Sequence, residues 1–252
     1  MADPYSIDVT LLNFDLKKRK LKVIPLLMLE WGETVFNTIE TITRYNGLLA
    51  YEGADGNLIL SPRGSKNPEC WFEEGKNIEA ASVVYAMDQR YSDYVVRMLG
   101  TNSLGDLGNG GDILMTATDE YVPRKRVHYI IAESGDAGGD VSKLRGIWEK
   151  NRRWGRGNRI NITTDTWKGQ DGKLWEPNTL VVVQLPSLKL PTPEKVYFWL
   201  ITEVTYERNE TGTHAHLVLM PPEAFDVEPI LPPWEKGLSD MKVQQVPKRK
   251  TP

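Results

Sequence analysis

Residues 195–220 read KVYFWLITEVTYERNETGTHAHLVLM. Two long β segments separated by the polar turn RNETGT are expected to form a pair of strands, whose side chains point to opposite faces in alternation. Both faces of the first strand are apolar through its middle, where the residues are Val196, Tyr197, Phe198, Trp199, Leu200 and Ile201. A strand that is apolar on both faces is buried on both sides. We therefore expect a β-barrel wall that another element or another subunit covers, and hence an oligomer.

The second of these strands carries two of the chain's three histidines, His214 and His216. Residues two apart in a strand face the same side, so the two imidazoles are candidate metal ligands. A metal site needs at least one more protein ligand, and nothing in the sequence brings His128 to this position. The sequence therefore favours two ordinary side chains on the sheet surface over a metal site.

Composition limits the classes of protein to which the chain can belong. Its 252 residues are 40% hydrophobic and 26% charged, which is typical of globular proteins with one large or two small domains. The formal net charge of −3 gives no overall attraction to nucleic acid or to an anionic membrane. Cys70 is the only cysteine, which excludes an internal disulfide and a cysteine-rich zinc site. The longest apolar run, residues 23–29, contains Pro25 and is too short to cross a bilayer.

The first 61 residues predict a small α+β unit. Alternation over residues 6–11 predicts a strand, and residues 21–30 predict a second strand that Pro25 limits to an edge or a bulge. An Asp55-Gly56 turn between two apolar runs predicts a hairpin. A helix that ends at Asn46 is predicted from apolar residues at helical spacing, namely Val35, Phe36, Ile39 and Ile42.

The rest of the chain predicts β strands interrupted by one helix. Strands are expected on both sides of a turn at residues 88–90, and again at residues 126–134. Asp140 is the expected N-cap of a helix that runs through Trp148. The glycine-rich loop 100–112 lacks the lysine and the following helix of a phosphate-binding loop. The proline-rich end predicts an extended tail that needs a partner to become ordered.

Catalytic motifs do not emerge from the sequence. Cys70 has neither a helix N-terminus nor a histidine nearby, so we expect an unreactive thiol. Glu73 and Glu74 are adjacent and would point apart in a strand. No nucleophile elbow, zinc-protease motif or dinucleotide fingerprint occurs.

The most basic segment is residues 143–159, KLRGIWEKNRRWGRGNR. Basic residues with aromatic neighbours can bind single-stranded nucleic acid by charge and stacking. Against that reading, Trp148 falls on the apolar helix face with Val141 and Leu144, and cations at a helix C-terminus favour its dipole. A nucleic-acid interface at this segment is therefore an alternative and not the first expectation.

Residues 151–188 (NRRWGRGNRINITTDTWKGQDGKLWEPNTLVVVQLPSL) and 200–225 (LITEVTYERNETGTHAHLVLMPPEAF) resemble the tail protein P family of Mu-like phages. This is a baseplate hub family related to the hub of T-even phages and to the hub part of type VI secretion spikes. The resemblance extends upstream through GETVFNTIETITRYNGLLAYEGADGNLILSPRG and GKNIEAASVVYAMDQRYSDYVVRMLG, and covers about residues 5–226. LWEPNTLV and LMPPEAF are its most specific parts, and no catalytic motif belongs to it.

The resemblance implies an α+β fold in which a tube-type antiparallel β-barrel is interleaved with a small α+β insertion domain. Placed on this chain, residues 5–75 and 126–160 form the discontinuous α+β domain, and residues 76–125 and 161–225 form the barrel. Residues 226–252 form an extended tail. Family members usually carry a further barrel before this part. The resemblance therefore implies a fragment, a shortened hub, or a separate polypeptide that supplies that barrel.

The implied function is that of a structural baseplate hub protein of a contractile phage tail or tailocin, with no enzymatic activity and no cofactor. A homotrimeric ring would join the sixfold tail tube to the threefold central spike. The implied partners are further copies of the chain, the spike protein, the tail tube or tube-initiator protein, and baseplate wedge proteins. DNA is only passing cargo, and no membrane embedding is expected. The implied location is the tail baseplate of the virion, after assembly in the cytoplasm of the bacterial host.

Candidate contact residues for these partners are Trp199, Phe225 and Trp234, because aromatic side chains anchor well in partner pockets. Two other functions stay open. A peptidoglycan-degrading baseplate enzyme would need two carboxylates at the separation that glycoside hydrolysis requires. A nucleic-acid-binding β-barrel module would show salt-dependent binding that is lost when Arg152, Arg153 and Arg156 are changed.

Overall fold

The computed structural model describes residues 6–12, 20–24, 27, 29, 31–64, 70–99, 112–132, 138–190 and 197–229. The chain divides into two compact units. Unit 1 comprises residues 1–21, 47–90 and 151–227, and unit 2 comprises residues 22–46, 91–150 and 228–252.

The described residues are mostly β, with two α-helices, which confirms the expected α+β fold. In chain order they form β1 (Val9–Leu11), α1 (Val35–Asn46), β2 (Leu49–Glu52), β3 (Leu58–Ser61), β4 (Trp71–Glu73), β5 (Ala80–Tyr85), β6 (Asp93–Leu99), β7 (Asp112–Thr118), β8 (Val127–Ala132), α2 (Gly138–Gly157), β9 (Asn158–Thr164), β10 (Leu180–Gln184), β11 (Phe198–Asn209) and β12 (Gly212–Met220). Short 3₁₀ helices follow β10 (Pro186–Leu188) and β12 (Pro222–Phe225). Within this described part, neither α-helix is long and apolar enough to span a membrane.

A six-stranded sheet in the order β4-β10-β11-β12-β9-β5 is the main element of unit 1. Its centre is the antiparallel hairpin of β11 and β12, in which Glu207 faces His214 and Asn209 faces Gly212. All its neighbouring strands are antiparallel except β4, which runs parallel to β10. The sheet curls like half a barrel, in agreement with the wall predicted from residues 195–220.

One face of this sheet forms the core of unit 1. Ala215, Leu217 and Leu219 of β12 are buried on it, because residues two apart share a face. Phe72 and Trp175 pack there with ring centroids 4.8 Å apart. The other buried members are Cys70, Ile160, Ile162, Val181, Val183, Leu185, Leu190, Trp199 and Ile201.

β11 is covered on both faces only at its beginning. Trp199, Leu200 and Ile201 are consecutive and all three are buried. The register shifts between Ile201 and Glu203, and beyond this irregularity the strand is exposed or half-buried. The prediction of a doubly covered strand therefore holds for a shorter segment than expected, and Val196 lies outside the described residues.

The β2–β3 hairpin confirms the turn predicted around Asp55-Gly56. Gly56 has a φ of 81°, a backbone conformation that glycine adopts without strain. The Gly53 N–H donates to the Asn57 carbonyl at 2.7 Å. The Asn57 side-chain amide and backbone N–H both donate to the Asp55 carboxylate, and these bonds lower the pKa of Asp55. β1 completes a three-stranded sheet by pairing in parallel with β3.

Unit 2 contains a second three-stranded sheet, in the order β7-β6-β8. β7 runs antiparallel and β8 parallel to β6. One face of this sheet supplies the buried cluster Tyr94, Val96, Ile130 and Ala132. Gly146 of α2 lies against it, where an added Cβ would be 3.1 Å from Val96 Cγ2. The close approach of helix and sheet therefore favours glycine at this position.

Two local predictions do not hold. Residues 21–24, 27 and 29 of the predicted strand 21–30 are not in a strand, and the rest of that segment, including Pro25, lies outside the described residues. α2 begins at Gly138, so Asp140 lies in its first turn instead of at the N-cap. α1 forms where expected and ends at Asn46, and its first apolar residues, Val35 and Phe36, are exposed within the single chain.

Strand pairing also crosses a predicted domain boundary. β6 and β7 come from the segment predicted as barrel, β8 comes from the segment predicted as α+β, and the three form one sheet. Sequence periodicity identifies strands but carries no information about their partners, which packing over long sequence distances selects. The domain boundaries themselves remain a prediction.

We predict that Leu217→Ala lowers the free energy of unfolding by about 2–5 kcal/mol, because Leu217 is fully buried in the core of unit 1. Val218 is the matched control, since it follows on the same strand and faces the opposite side. Val218→Ala should cost about 1 kcal/mol or less. Urea denaturation followed by circular dichroism measures both, and equal losses would contradict the assigned orientation of β12.

Candidate functional site

His214 and His216 lie on the face of β12 opposite the core, and each contacts its own carboxylate. The distance from His214 Nδ1 to Glu79 Oε2 is 2.8 Å, and that from His216 Nε2 to Glu207 Oε2 is also 2.8 Å. His216 Nδ1 lies 3.1 Å from Thr163 Oγ1 of the neighbouring strand β9. The hydrogen bond with His216 is the main reason that the pKa of Glu207 is lowered. The two imidazoles are thus held in separate pairs on a polar sheet surface.

This arrangement does not gather metal ligands. Among the residues that the structure describes, no group of three or more His, Cys, Asp or Glu side chains is placed to hold a metal ion. His128 belongs to β8 in unit 2, where its ring stacks on Tyr91 at 4.7 Å and its Nε2 lies 3.9 Å from Glu149 Oε1. The geometry agrees with the interpretation of His214 and His216 as ordinary side chains on the wall of the sheet, and this interpretation stays a prediction.

The other candidate reactive residues, Cys70, Glu73 and Glu74, are buried or held in contacts within the fold. Cys70 is buried in the core of unit 1, and this burial raises the pKa of its thiol. Glu73 forms an ion pair with Lys76 at 2.8 Å. Glu74 accepts a hydrogen bond from the Ser187 N–H at 3.0 Å, which lowers the pKa of Glu74. The two adjacent carboxylates are therefore engaged in different contacts.

Two cations of the basic segment 143–159, Arg145 and Arg153, are held in contacts within the fold, whereas Lys143, Arg156 and Arg159 are exposed. Trp148 is buried, as its place on the apolar helix face predicts. The Arg145 guanidinium lies 4.7 Å from the centre of the Trp148 ring and pairs with Glu228. Arg153 donates to the Gln89 carbonyl at 3.2 Å. Side chains held in this way present less charge to a nucleic-acid strand than the sequence of the segment suggests.

An aromatic pocket of about 710 Å³ opens within unit 1. Pro221, Pro222 and Glu223 form one side of it, where β12 ends. Its charged members are Arg63, which pairs with Asp226, Lys189 and Glu223. The aromatic members are Tyr85, Trp154, Tyr197, Phe198 and Trp199. A concave, apolar surface with a few charged groups has the general character of a binding site.

A second apolar surface lies on the face of the β7-β6-β8 sheet opposite the core of unit 2; we call it the outer sheet face. Leu114 and Ile131 lie on either side of Arg97 in one row across the strands, and Tyr129 lies beside Val95 in the next row. Leu114 is 62% exposed, Tyr129 is 75% exposed and Ile131 is 83% exposed. Three large apolar side chains are thus exposed on one sheet face, with Arg97 between two of them, and exposed apolar groups of this kind are a feature of interaction surfaces.

The three aromatic residues proposed as partner contacts lie in different surroundings. Trp199 is only 7% exposed and lines the aromatic pocket from the core side. Phe225 is half-buried at the end of the 3₁₀ helix that follows β12. Trp234 lies outside the described residues. Their roles as partner contacts stay predictions.

Two family profiles match the chain, and together they cover more than half of it. Residues 1–62 match the second domain of the gp44-like baseplate hub protein, and residues 139–228 match the fourth domain of the Mu phage baseplate assembly protein GpP. Both matched regions are thus similar to domains of Mu-type phage baseplate hub proteins.

Individual relatives agree with these matches. The chain is 28% identical to baseplate hub protein gp44 of Escherichia phage Mu over 231 residues, which cover 89% of the chain and 59% of the Mu protein. Its fold is similar to that of the 43 kDa tail protein of prophage MuSo2 from Shewanella oneidensis, with a TM-score of 0.67, 24% identity, and coverage of 89% of the chain and 62% of that protein. A tail protein of Neisseria meningitidis MC58 matches with a TM-score of 0.57, 20% identity, and coverage of 84% and 60%. The chain therefore spans about three fifths of the length of these relatives.

Sequence reasoning missed both apolar surfaces. The aromatic pocket combines residues from positions 85, 154 and 197–199, and no local pattern connects positions so far apart. The outer sheet face had a usable signal, because residues 129–132 of β8 (YIIA) are apolar at consecutive positions. This is the same pattern that predicted a doubly covered strand at residues 196–201, and in β8 one of the two faces is exposed.

We predict that the double variant His214→Ala, His216→Ala keeps its fold and binds the same amount of zinc as the wild-type protein, which is none in stoichiometric amount. The imidazoles contact separate carboxylates on a partly exposed surface, so their removal should shift the melting temperature by less than about 3 °C. Elemental analysis after dialysis against zinc and thermal melting measure the two quantities. Stoichiometric zinc in the wild-type protein that disappears in the double variant would show that the wall reading is wrong.

Proposed function

We propose that the protein is a structural baseplate hub protein of a contractile phage tail. It forms a threefold ring that joins the sixfold tail tube to the central spike, and it acts as a connector without catalysis. The observation that supports this proposal most strongly is the exposed outer sheet face. Its apolar residues protrude from a sheet whose other face is already packed in the core of unit 2. Burying such a surface stabilises an assembly by about 25 cal/mol for each Å² removed from water.

Ring geometry explains why one apolar surface is not enough. In a cyclic ring of three, each subunit contacts its neighbours through two different surfaces, because the interface is heterologous. Unit 2 offers a second exposed apolar region at the start of α1, formed by Trp31, Val35 and Phe36. The outer sheet face and the start of α1 are therefore proposed as the two sides of the ring contact.

The remaining partners follow from the six-stranded sheet. Its outermost strands among the described residues, β4 and β5, carry backbone groups that a further strand can pair with. We propose that these edges meet neighbouring barrels, including a first barrel that precedes this part or is supplied by a separate polypeptide. The spike protein, the tube or tube-initiator protein and the wedge proteins complete the contacts, and DNA only passes through the ring.

The ring is tested by determining mass and symmetry. Native mass spectrometry of the purified hub protein should give three times the chain mass of 28.6 kDa, and electron microscopy of the particle should show threefold symmetry. A monomer at micromolar concentration would contradict the ring. A closed ring of three chains with no further barrel, isolated from intact tails, would contradict the part of the proposal that concerns a first barrel.

We predict that Leu114→Glu combined with Ile131→Glu converts the trimer to monomers without unfolding the chain. Both side chains are exposed and flank Arg97, so the new carboxylates have a cation beside them in the folded chain. Desolvating two charges in an interface strongly disfavours association. Lys143→Glu is the control and should stay trimeric, since Lys143 is exposed on α2, which packs against the other face of the sheet. Light scattering reports the mass and circular dichroism the fold; a double variant that stays trimeric would remove the outer sheet face from the ring contact.

A further inference from the structure

The outer edge of β4 turns the backbone groups of two residues away from the six-stranded sheet. The Glu74 N–H donates to the Gln184 carbonyl of β10 at 3.0 Å. Along a paired strand, residues that bond to the neighbouring strand alternate with residues that do not. The N–H and C=O groups of Trp71 and Glu73 therefore point to the outside of the sheet.

Two side-chain amides and a turn occupy these outward groups of β4. The Gln170 side chain accepts from the Trp71 N–H at 3.3 Å and donates to the Trp71 carbonyl at 2.6 Å. The Asn77 amide donates to the same carbonyl at 2.8 Å, and its oxygen accepts from the Glu73 N–H at 2.8 Å. The Glu73 carbonyl accepts from the Lys76 N–H at 3.1 Å. A further strand at this edge would have to displace these partners, which leaves it little gain in hydrogen bonding.

The outer edge of β5 has no such covering. The Ala86 N–H donates to the Gly157 carbonyl at 2.7 Å, just beyond the paired ends of β5 and β9. Residues that exchange hydrogen bonds in an antiparallel pair alternate with residues that do not, so Ala81, Val83 and Tyr85 turn their N–H and C=O groups away from β9. Within the part of the chain that the structure describes, nothing accepts from or donates to these outward groups.

The hydrophobic core of unit 1 is also closed at β4 and open at β5. Phe72 of β4 is fully buried. At the other end of the sheet, Val83 lies opposite Ile160 and Ala81 lies opposite Ile162. The two isoleucines are buried, whereas Ala81 and Val83 pack against the same core and are only half-buried. The core therefore stops at β5 without a strand to cover its last row of side chains.

A strand that completed this edge would have a defined side-chain pattern. Its residues beside Ala81 and Val83 would be apolar, because neighbouring strands share a face and these positions extend the core. Its residue beside Ser82 would be polar, since the Ser82 hydroxyl accepts from the Asn161 amide at 3.0 Å on the exposed face. Backbone bonds supply the affinity in such strand addition, and alternate side chains select the strand.

We propose that an extended strand of a different polypeptide, apolar and polar in alternation, adds to β5 and continues the six-stranded sheet, and that β4 is the closed end of this sheet. This inference rests on the proposed contact with neighbouring barrels and assigns that contact to one edge. A second copy that paired through its own large sheet would meet the closed β4 or place β5 against β5. The latter is a twofold contact, which does not close a ring of three.

Hydrogen exchange in the purified full chain, resolved for single amides by NMR, tests the open edge. We expect the amides of Val83 and Tyr85 to exchange at least about 100-fold faster than that of Val84, which faces β9, and at least about tenfold faster than those of Trp71 and Glu73. Protection of Val83 and Tyr85 equal to that of Val84 would show that this chain or a second copy already covers the edge. That result, or fast exchange of Trp71 and Glu73, would overturn the proposal.

Photocrosslinking in assembled tails identifies the added strand. The photoreactive amino acid p-benzoylphenylalanine replaces Val84 on β5 or, as the matched control, Trp71 on β4. These residues are 38% and 46% exposed, and each follows or precedes a core residue, so both lie on the face opposite the core. Peptide mass spectrometry should join position 84 to an alternating segment of a different tail protein, with at least about tenfold less product from position 71. Crosslinks from position 84 only to this chain or a second copy, or equal products from both positions, would overturn the proposal.

Exchange in the same tails separates this inference from the proposed function. Residues 80–85 should exchange at least about tenfold more slowly in tails than in the purified chain, with no such change at residues 71–73. Tails that contain the protein but show unchanged exchange at residues 80–85 refute the strand addition alone. Absence of the protein from purified tails refutes the proposed function, and the inference with it.

Discussion

The pairing of β11 with β12 is the constraint on which the rest of unit 1 depends. This long antiparallel hairpin occupies the middle of the six-stranded sheet. β10 pairs with β11 and β9 pairs with β12, and the outer strands β4 and β5 then pair with β10 and β9. The alternation of β12 places Ala215, Leu217 and Leu219 in the core and sends His214 and His216 to the other side. A slip of one residue would exchange these two sets, which would bury two imidazoles and their carboxylate partners at high cost.

The two faces of the six-stranded sheet therefore differ in polarity, and the exposed sheet surfaces of the two units differ as well. The face of the six-stranded sheet opposite the core is polar around the histidines, where Asn161 donates to Ser82 and each imidazole contacts a carboxylate. The β7-β6-β8 sheet of unit 2 instead leaves apolar side chains uncovered. A protein that works within an assembly can leave such a face apolar, because its neighbours complete the burial that a monomer would have to achieve alone.

Much of the fold could be predicted from local patterns. Alternation identified the long strands, an Asp-Gly turn located the β2–β3 hairpin, and helical spacing located α1. Helical spacing located α1 but did not determine which of its residues are buried. Val35 and Phe36 belong to its apolar stripe and are exposed, since periodicity shows that a face is apolar but not what covers it. The aromatic pocket could not be predicted from the sequence, because Tyr85, Trp154 and Phe198 are brought together only by folding.

What the sequence determined by itself is the strand content, the turns, the absence of a disulfide framework and the resemblance to the hub family, because these depend on neighbouring residues or on short quoted blocks. Only the tertiary structure decided that β6 and β7 pair with β8 in a separate sheet, that Trp199 is buried within its own chain, and that the apolar residues of β8 divide between a core and an exposed face. The physical reason is the same in each case. Strand partners and burial arise from contacts between residues far apart in the chain, and local propensity carries no information about which distant surface will supply them.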